Sequence, residues 1–112
     1  MAIPTSIKTL LSGDVVEWAR IEFKETWDAA ASLKSICAFA NDLDNWGGGY
    51  IVIGVQEDNG RPVFPLKGVP TDKLDSYQKN IFAKCKLLRP AYTPIIGVET
   101  YQDKHFIVIW CP

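Results

Sequence analysis

Five charged side chains fall within the nine residues of "EWARIEFKE": Glu17, Arg20, Glu22, Lys24 and Glu25. Clustered carboxylates can hold a divalent cation through hard oxygen ligands, and such a cation can stabilise phosphodiester cleavage. Spacing complicates that chemistry. Glu17 and Glu22 are five residues apart, so a regular strand would send them to opposite sides, and both reach one site only if the chain bends between them. Arg20 and Lys24 suit a different task, contact with phosphate oxygens. The plainer alternative for all five is a solvated strand face with local ion pairs.

Other chemistries are poorly supplied. His105 is the only histidine, so a His-based metal site or a Ser-His-Asp triad has at most one to work with. Cys37, Cys85 and Cys111 are odd in number and widely spaced, which suits reduced, buried thiols better than disulfides or zinc ligands. Three consecutive glycines, Gly47 to Gly49, invite a phosphate-gripping reading. In phosphate-binding loops, however, a strand precedes the glycines and a helix N-terminus follows them. Here a predicted helix comes first, and its C-terminal partial charge would repel phosphate. No G-K-[ST] or G-x-G-x-x-G is present, so no nucleotide cofactor is expected.

The elements that must carry these residues can be read from periodicity. The first 16 residues are a lead-in, with a short helix through "TSIKTLLSG" stopped by Gly13. From Arg20 the pattern has period two, Ile21 and Phe23 facing one way and Arg20, Glu22 and Lys24 the other. Asp28 is the expected N-cap of a helix to about Leu43, because Leu33, Ile36, Cys37, Ala40 and Leu43 recur every three or four residues. Lys34 falls off that stripe. The glycines of "NWGGG" close the helix, and "YIVIGV" is apolar enough for a central strand. "QEDNGRP" is a turn with Asn59-Gly60 as its strongest signal.

A second helix, capped by Thr71 or Asp72, is expected to run to about Leu88. Leu74, Ile81, Cys85 and Leu88 form its buried stripe, widened by Tyr77 or Phe82, and Lys79 and Lys86 share a more polar side. "IIGVETY" and "HFIVIWC" then flank "QDK" as an antiparallel hairpin. The order strand, helix, strand, helix, strand, strand describes a single small α/β (α+β) domain with a mixed sheet and two main helices.

At 112 residues and 47% hydrophobic, the chain suits one core. No apolar run approaches the roughly 20 residues needed to span a bilayer, and the N-terminus lacks a signal-peptide pattern. No membrane association is expected, and a cytoplasmic location follows as the simplest expectation. Charge is split: residues 1 to 60 carry four basic and nine acidic side chains, and residues 61 to 112 carry eight basic and four acidic. The second half can therefore present a positive face on a nearly neutral chain. Trp18 and Trp27 flank the charged strand, where an aromatic-plus-basic surface could form. Trp46, beside the glycines, could stack on a base but more often such a ring packs on the fold, and Asn41 could contact a ligand, with capping its helix the plainer role.

"RIEFKE", the helix with "ICAFAND", "GGGYIVIGVQEDNG" and the closing "LLRPAYTPIIGVETYQDKHFIVIWCP" together resemble the Schlafen AlbA domain, also called a divergent AAA domain. The resemblance covers nearly the whole chain after about Asp14, with the domain at residues 17 to 112, and its elements stand in the right order. It implies an Alba-like fold and a nucleic-acid-binding role, DNA first, as the N-terminal module of a bacterial transcriptional regulator cut from a longer protein. Animal Schlafens resembling this domain use three acidic residues for metal-dependent cleavage of structured RNA. Two correspond to Glu17 and Glu22, and the third follows the "IGV" strand. The family usually has paired aspartates there, whereas this chain reads Gln56-Glu57-Asp58, so a nuclease site would need Glu57 or Asp58 with magnesium or manganese.

The leading expectation is thus a binding module without a catalytic role or cofactor. Arg20 and Lys24 would contact backbone on one strand face, and Lys79, Lys84 and Lys86 would form a second basic surface. A metal-dependent endoribonuclease using Glu17, Glu22 and Glu57 or Asp58 is the alternative. A protein-interaction or oligomerisation module is the third reading, and homo-oligomerisation would also add phosphate contacts to the first.

Overall fold

Alternation in "RIEFK" builds the strand β1 (Arg20–Lys24). Phe23 is buried and Ile21 packs against the same cluster, while Glu22 turns to the opposite face, where it meets the following helix. The computed structural model describes residues 6–12, 20–40, 49–88 and 93–111. Glu17, Trp18, Asn41, Trp46 and the glycines 47 and 48 lie outside those residues.

A short helix, α1 (Ile7–Ser12), precedes β1. The main helix α2 (Ala29–Ala40) begins where its cap dictates: Asp28 Oδ1 accepts the Ala31 amide at 3.3 Å and the Asp28 carbonyl accepts the Ser32 amide at 2.9 Å. The side-chain bond satisfies an amide that no helical turn can reach, and the carbonyl bond is the first i→i−4 bond of the helix. After it comes β2 (Gly49–Ile53), buried along its whole length. Gly49 has a steric role there. A Cβ at that position would sit 2.6 Å from the Phe39 ring, so the glycine lets α2 press its terminal aromatic onto the strand.

The expected turn at "QEDNGRP" is a small ribbon of β3 (Glu57–Asp58) and β4 (Arg61–Pro62). Asn59 and Gly60 have φ of 53° and 81°, the left-handed pair that a two-residue hairpin needs. The helix α3 (Thr71–Cys85) follows. Its N-cap is Pro70 with no side-chain capping bond, which corrects the expected Thr71 or Asp72 cap and puts both of those residues inside the first turn. Tyr77 packs on the core whereas Phe82 is 40% exposed, so only the former widens the buried stripe. The chain closes with β5 (Ile95–Tyr101) and β6 (Lys104–Cys111).

Strand order in the four-stranded sheet is β1-β2-β6-β5, with β1 and β2 parallel and the other pairs antiparallel. The domain is therefore mixed α+β, as expected. On one face, Ile7, Leu10 and Leu11 of α1 pack with Phe23, Tyr50, Val52, Phe106 and Val108. On the other, Ile36 and Phe39 of α2 and Ile81 and Cys85 of α3 pack with Ile51, Ile53, Ile107 and Ile109. Covering both faces makes β2 and β6 apolar at successive positions rather than alternate ones. Each such isoleucine contributes roughly 1.5–3 kcal/mol of burial.

All three cysteines are free thiols; Cys85 and Cys111 are buried and Cys37 is half-buried. Trp27 donates Nε1–H to Asn80 Oδ1 at 2.7 Å, which fastens the approach to α2 onto α3 and gives that ring a structural partner. No described helix is long and apolar enough to cross a membrane.

Candidate functional site

The end of β1 is held by an unusual backbone junction. The Lys24 carbonyl oxygen accepts the amides of both Gly54 and Val55, at 2.7 and 3.1 Å. Gly54 has φ of 108° and its carbonyl accepts the Gly68 amide at 2.8 Å. A Cβ on Gly54 would meet the Gly68 backbone at 3.0 Å, so a side chain fits neither the dihedral nor the space. This junction sets the β3–β4 ribbon beside β1. It carries Glu57 to the same cleft as Glu22.

That cleft has a volume of about 500 Å³ and is lined by Glu22 and Lys24 of β1, Ala31, Lys34 and Ser35 of α2, and Glu57 and Gly60 of the ribbon, among others. A strand, the helix that follows it and a ribbon further along the chain thus contribute polar groups to one concavity. Ser35 Oγ donates to Glu22 Oε2 at 2.5 Å, and Lys24 Nζ lies 4.0 Å from the same oxygen. Glu57 Oε1 accepts the Gly60 amide at 2.9 Å. Lys34 is exposed and makes no ion pair among the described residues. Two carboxylates and two ammonium groups therefore share the cleft.

Helix α2 partly covers the β1 face that carries Glu22 and Lys24, and local ion pairs of the expected kind join Glu22 to Lys24 and Glu25 to Lys67. Glu22 and Lys24 keep side-chain exposures of 40% and 30%, because the helix walls them in. Arg20 opens β1, its Cα paired with Gly49. Asp58 pairs across the ribbon with Arg61 and does not line the cleft, so Glu57 is the acidic residue after "IGV" that joins Glu22. Glu25 instead pairs with Lys67 at 2.7 Å.

The α3 lysines stand apart from this constellation. Lys79 is exposed and bound to Asp75 at 2.9 Å, an i,i+4 pair, while Lys84 is half-buried and Lys86 exposed; none of the three lines the cleft. Among the described residues, no group of three or more acidic, histidine or cysteine side chains is placed to hold a metal ion. Lys34 and Ser35 were missed as site residues by sequence reasoning. The available signal was that both lie off the apolar stripe of α2, next to an acidic strand.

Comparison with protein families decides the classification: the family described as Schlafen, AlbA_2 matches residues 17–112. The chain belongs to the Schlafen AlbA_2 family. Among solved structures, this AlbA_2 domain is similar to the N-terminal domain of a Nitrosomonas europaea protein named as ATP-dependent DNA helicase RecG-related. Identity is 29% and the TM-score 0.74, over 96% of this chain and 73% of that one. A crystal structure of a Corynebacterium diphtheriae protein shares the fold at 14% identity and a TM-score of 0.55, over 93% of this chain and 24% of that one. No curated protein matches the chain.

Proposed function

We propose that this AlbA_2 domain is a nucleic-acid-binding module, with DNA as its first partner, serving a bacterial transcriptional regulator. One observation carries the reading: Lys24 and Lys34 arrive from a strand and a helix at a single cleft. Glu22 and Glu57 balance the cleft's formal charge and Lys24 stands 4.0 Å from Glu22, so Lys34, with no ion pair among the described residues, is the ammonium group first available to a phosphate, whose counterions it would displace. The family membership and the likeness to a domain of a protein named for a DNA helicase support it. Lys79, Lys84 and Lys86, on and just after α3, offer a second basic surface apart from the cleft.

Fluorescence anisotropy of a labelled oligonucleotide across about 25–200 mM salt tests the reading. Affinity should fall linearly on a log-log plot, and replacing both Lys24 and Lys34 by alanine should flatten the slope by about 2. Absence of binding at the lowest salt would refute it.

A second reading, a metal-dependent endoribonuclease, is favoured by one specific observation: Glu22 and Glu57 line the same cleft. The described residues supply these two carboxylates there, and Glu17 lies outside them, so no catalytic step is assigned. Structured RNA incubated with magnesium or manganese separates the readings. Cleavage lost in the Glu17→Gln, Glu22→Gln double variant supports the nuclease, and equal background from both proteins removes it.

A further inference from the structure

The cleft contains something that a phosphate site does not need, two carboxylates. Glu22 gives one oxygen to Ser35, and Glu57 gives one to the Gly60 amide. Each carboxylate therefore has a second oxygen outside these bonds. An ionised carboxylate is acceptor-only and repels phosphate oxygens, so without a bridging cation the group it meets in a nucleic acid is a donor. The sugar-phosphate backbone of DNA has no donor. Donors are found on base edges, and in RNA also at the 2′-hydroxyl.

Shape narrows the choice further. Duplex grooves are read by helices or ribbons that protrude into them. Here Glu22 and Lys24, part-exposed at 40% and 30%, line a concavity between β1, α2 and the ribbon whose volume falls within the range of small-ligand pockets. A stacked and paired base cannot enter such a recess. An unpaired one can swing in while its phosphate stays at the rim.

We infer that the cleft takes one unpaired nucleotide, its phosphate against Lys24 and Lys34 and its amino-bearing base edge against Glu22 and Glu57. This inference rests on the nucleic-acid reading above and adds a choice of strand state and base. Cytosine, with its exocyclic amine, meets a carboxylate as donor to acceptor, whereas thymine offers a carbonyl at the same position. Single strands are bound in preference to duplexes, and cytidine runs in preference to thymidine runs.

The test is a titration of this chain with oligonucleotides of about 15 nucleotides at low salt: a mixed single strand, its blunt duplex, oligo-dC and oligo-dT. Ribonucleotide versions of each run in parallel. The single strand should bind roughly tenfold more tightly than the duplex, and oligo-dC several-fold more tightly than oligo-dT, the scale of one good base contact. Glu57→Ala, on the exposed ribbon, should bring both ratios toward one. Preferences seen in DNA and RNA alike assign the donor to the base, and a single-strand preference seen only with ribose assigns it to the 2′-hydroxyl and overturns the base assignment. A duplex bound as tightly as the single strand, or ratios unmoved by Glu57→Ala, would overturn the inference while leaving general nucleic-acid binding intact. Failure to bind any of them would remove the reading beneath it.

Discussion

Ser35 Oγ, on α2, donates a hydrogen bond to Glu22 Oε2, on β1, at 2.5 Å. The bond joins two residues that line the cleft and links the helix that supplies Lys34 to the strand that supplies Lys24. Because Glu22 is 40% exposed, solvent can replace much of what the hydroxyl provides. Ser35→Ala should therefore cost less than about 1 kcal/mol in urea melts, and Ser35→Thr should restore most of it. A loss above about 3 kcal/mol would mean that the pair is buried far more deeply than it stands here.

Gly49 should tolerate no side chain, for the reason of space alone. With the Phe39 ring 2.6 Å from where a Cβ would be, Gly49→Ala must displace a buried aromatic, at about 1–3 kcal/mol. The double variant Gly49→Ala, Phe39→Leu should show strong coupling, losing less than the two single changes together. Additive losses would contradict this account of the contact.

Ser32 presents the opposite case. It is fully buried on α2, and its hydroxyl has no hydrogen-bond partner among the described residues. A desolvated, unpaired hydroxyl costs about 1–3 kcal/mol, and alanine is the better helix former. Ser32→Ala should raise the melting temperature by several degrees. A clear fall would indicate a partner for that oxygen.

The thiols give a pH prediction with a definite sign. Burial, and then the neighbouring Cys85, push the Cys111 thiol up to about 12, while burial and then Cys37 raise that of Cys85. A group whose folded value is raised keeps its proton in the native state after the unfolded chain has lost it. Stability from Cys111 is therefore fully present below about pH 9 and falls as pH rises toward 12, by up to ~1.4 kcal/mol per unit, and Cys85 acts in the same direction. Tyrosines and lysines titrate in the same range, so the measurement is the difference between native chain and Cys111→Ala in melts from neutral to alkaline pH. The variant should fall less steeply, and parallel curves would contradict the sign or the size.

The path from sequence to fold was clearest where both faces of an element obey one period. "RIEFK" and "YIVIG" declared their strands, and the α2 stripe declared its buried side, because burial there is repetitive. The exceptions have local causes. Pro70 displaces the expected cap since its fixed φ suits the residue that enters a helix. The need for Gly49 is set by Phe39, ten residues away and on another element, which no turn rule reports. The site was half legible: Glu22 and Lys24 stood out by alternation, and Glu57 by the family resemblance. Lys34 and Ser35 became site residues only through the packing of α2 beside β1, a tertiary relation that single-sequence periodicity does not contain.

The central claim is that the cleft between β1, α2 and the β3–β4 ribbon is where nucleic acid binds. Mapping amide chemical-shift changes during titration with a single-stranded oligonucleotide tests it most directly. The account predicts that the largest changes fall at Ile21 to Lys24, Ala31 to Ser35 and Glu57 to Gly60, and that they fade as salt is raised. Changes confined to the α3 surface around Lys79 and Lys86, with those three segments silent, would contradict it.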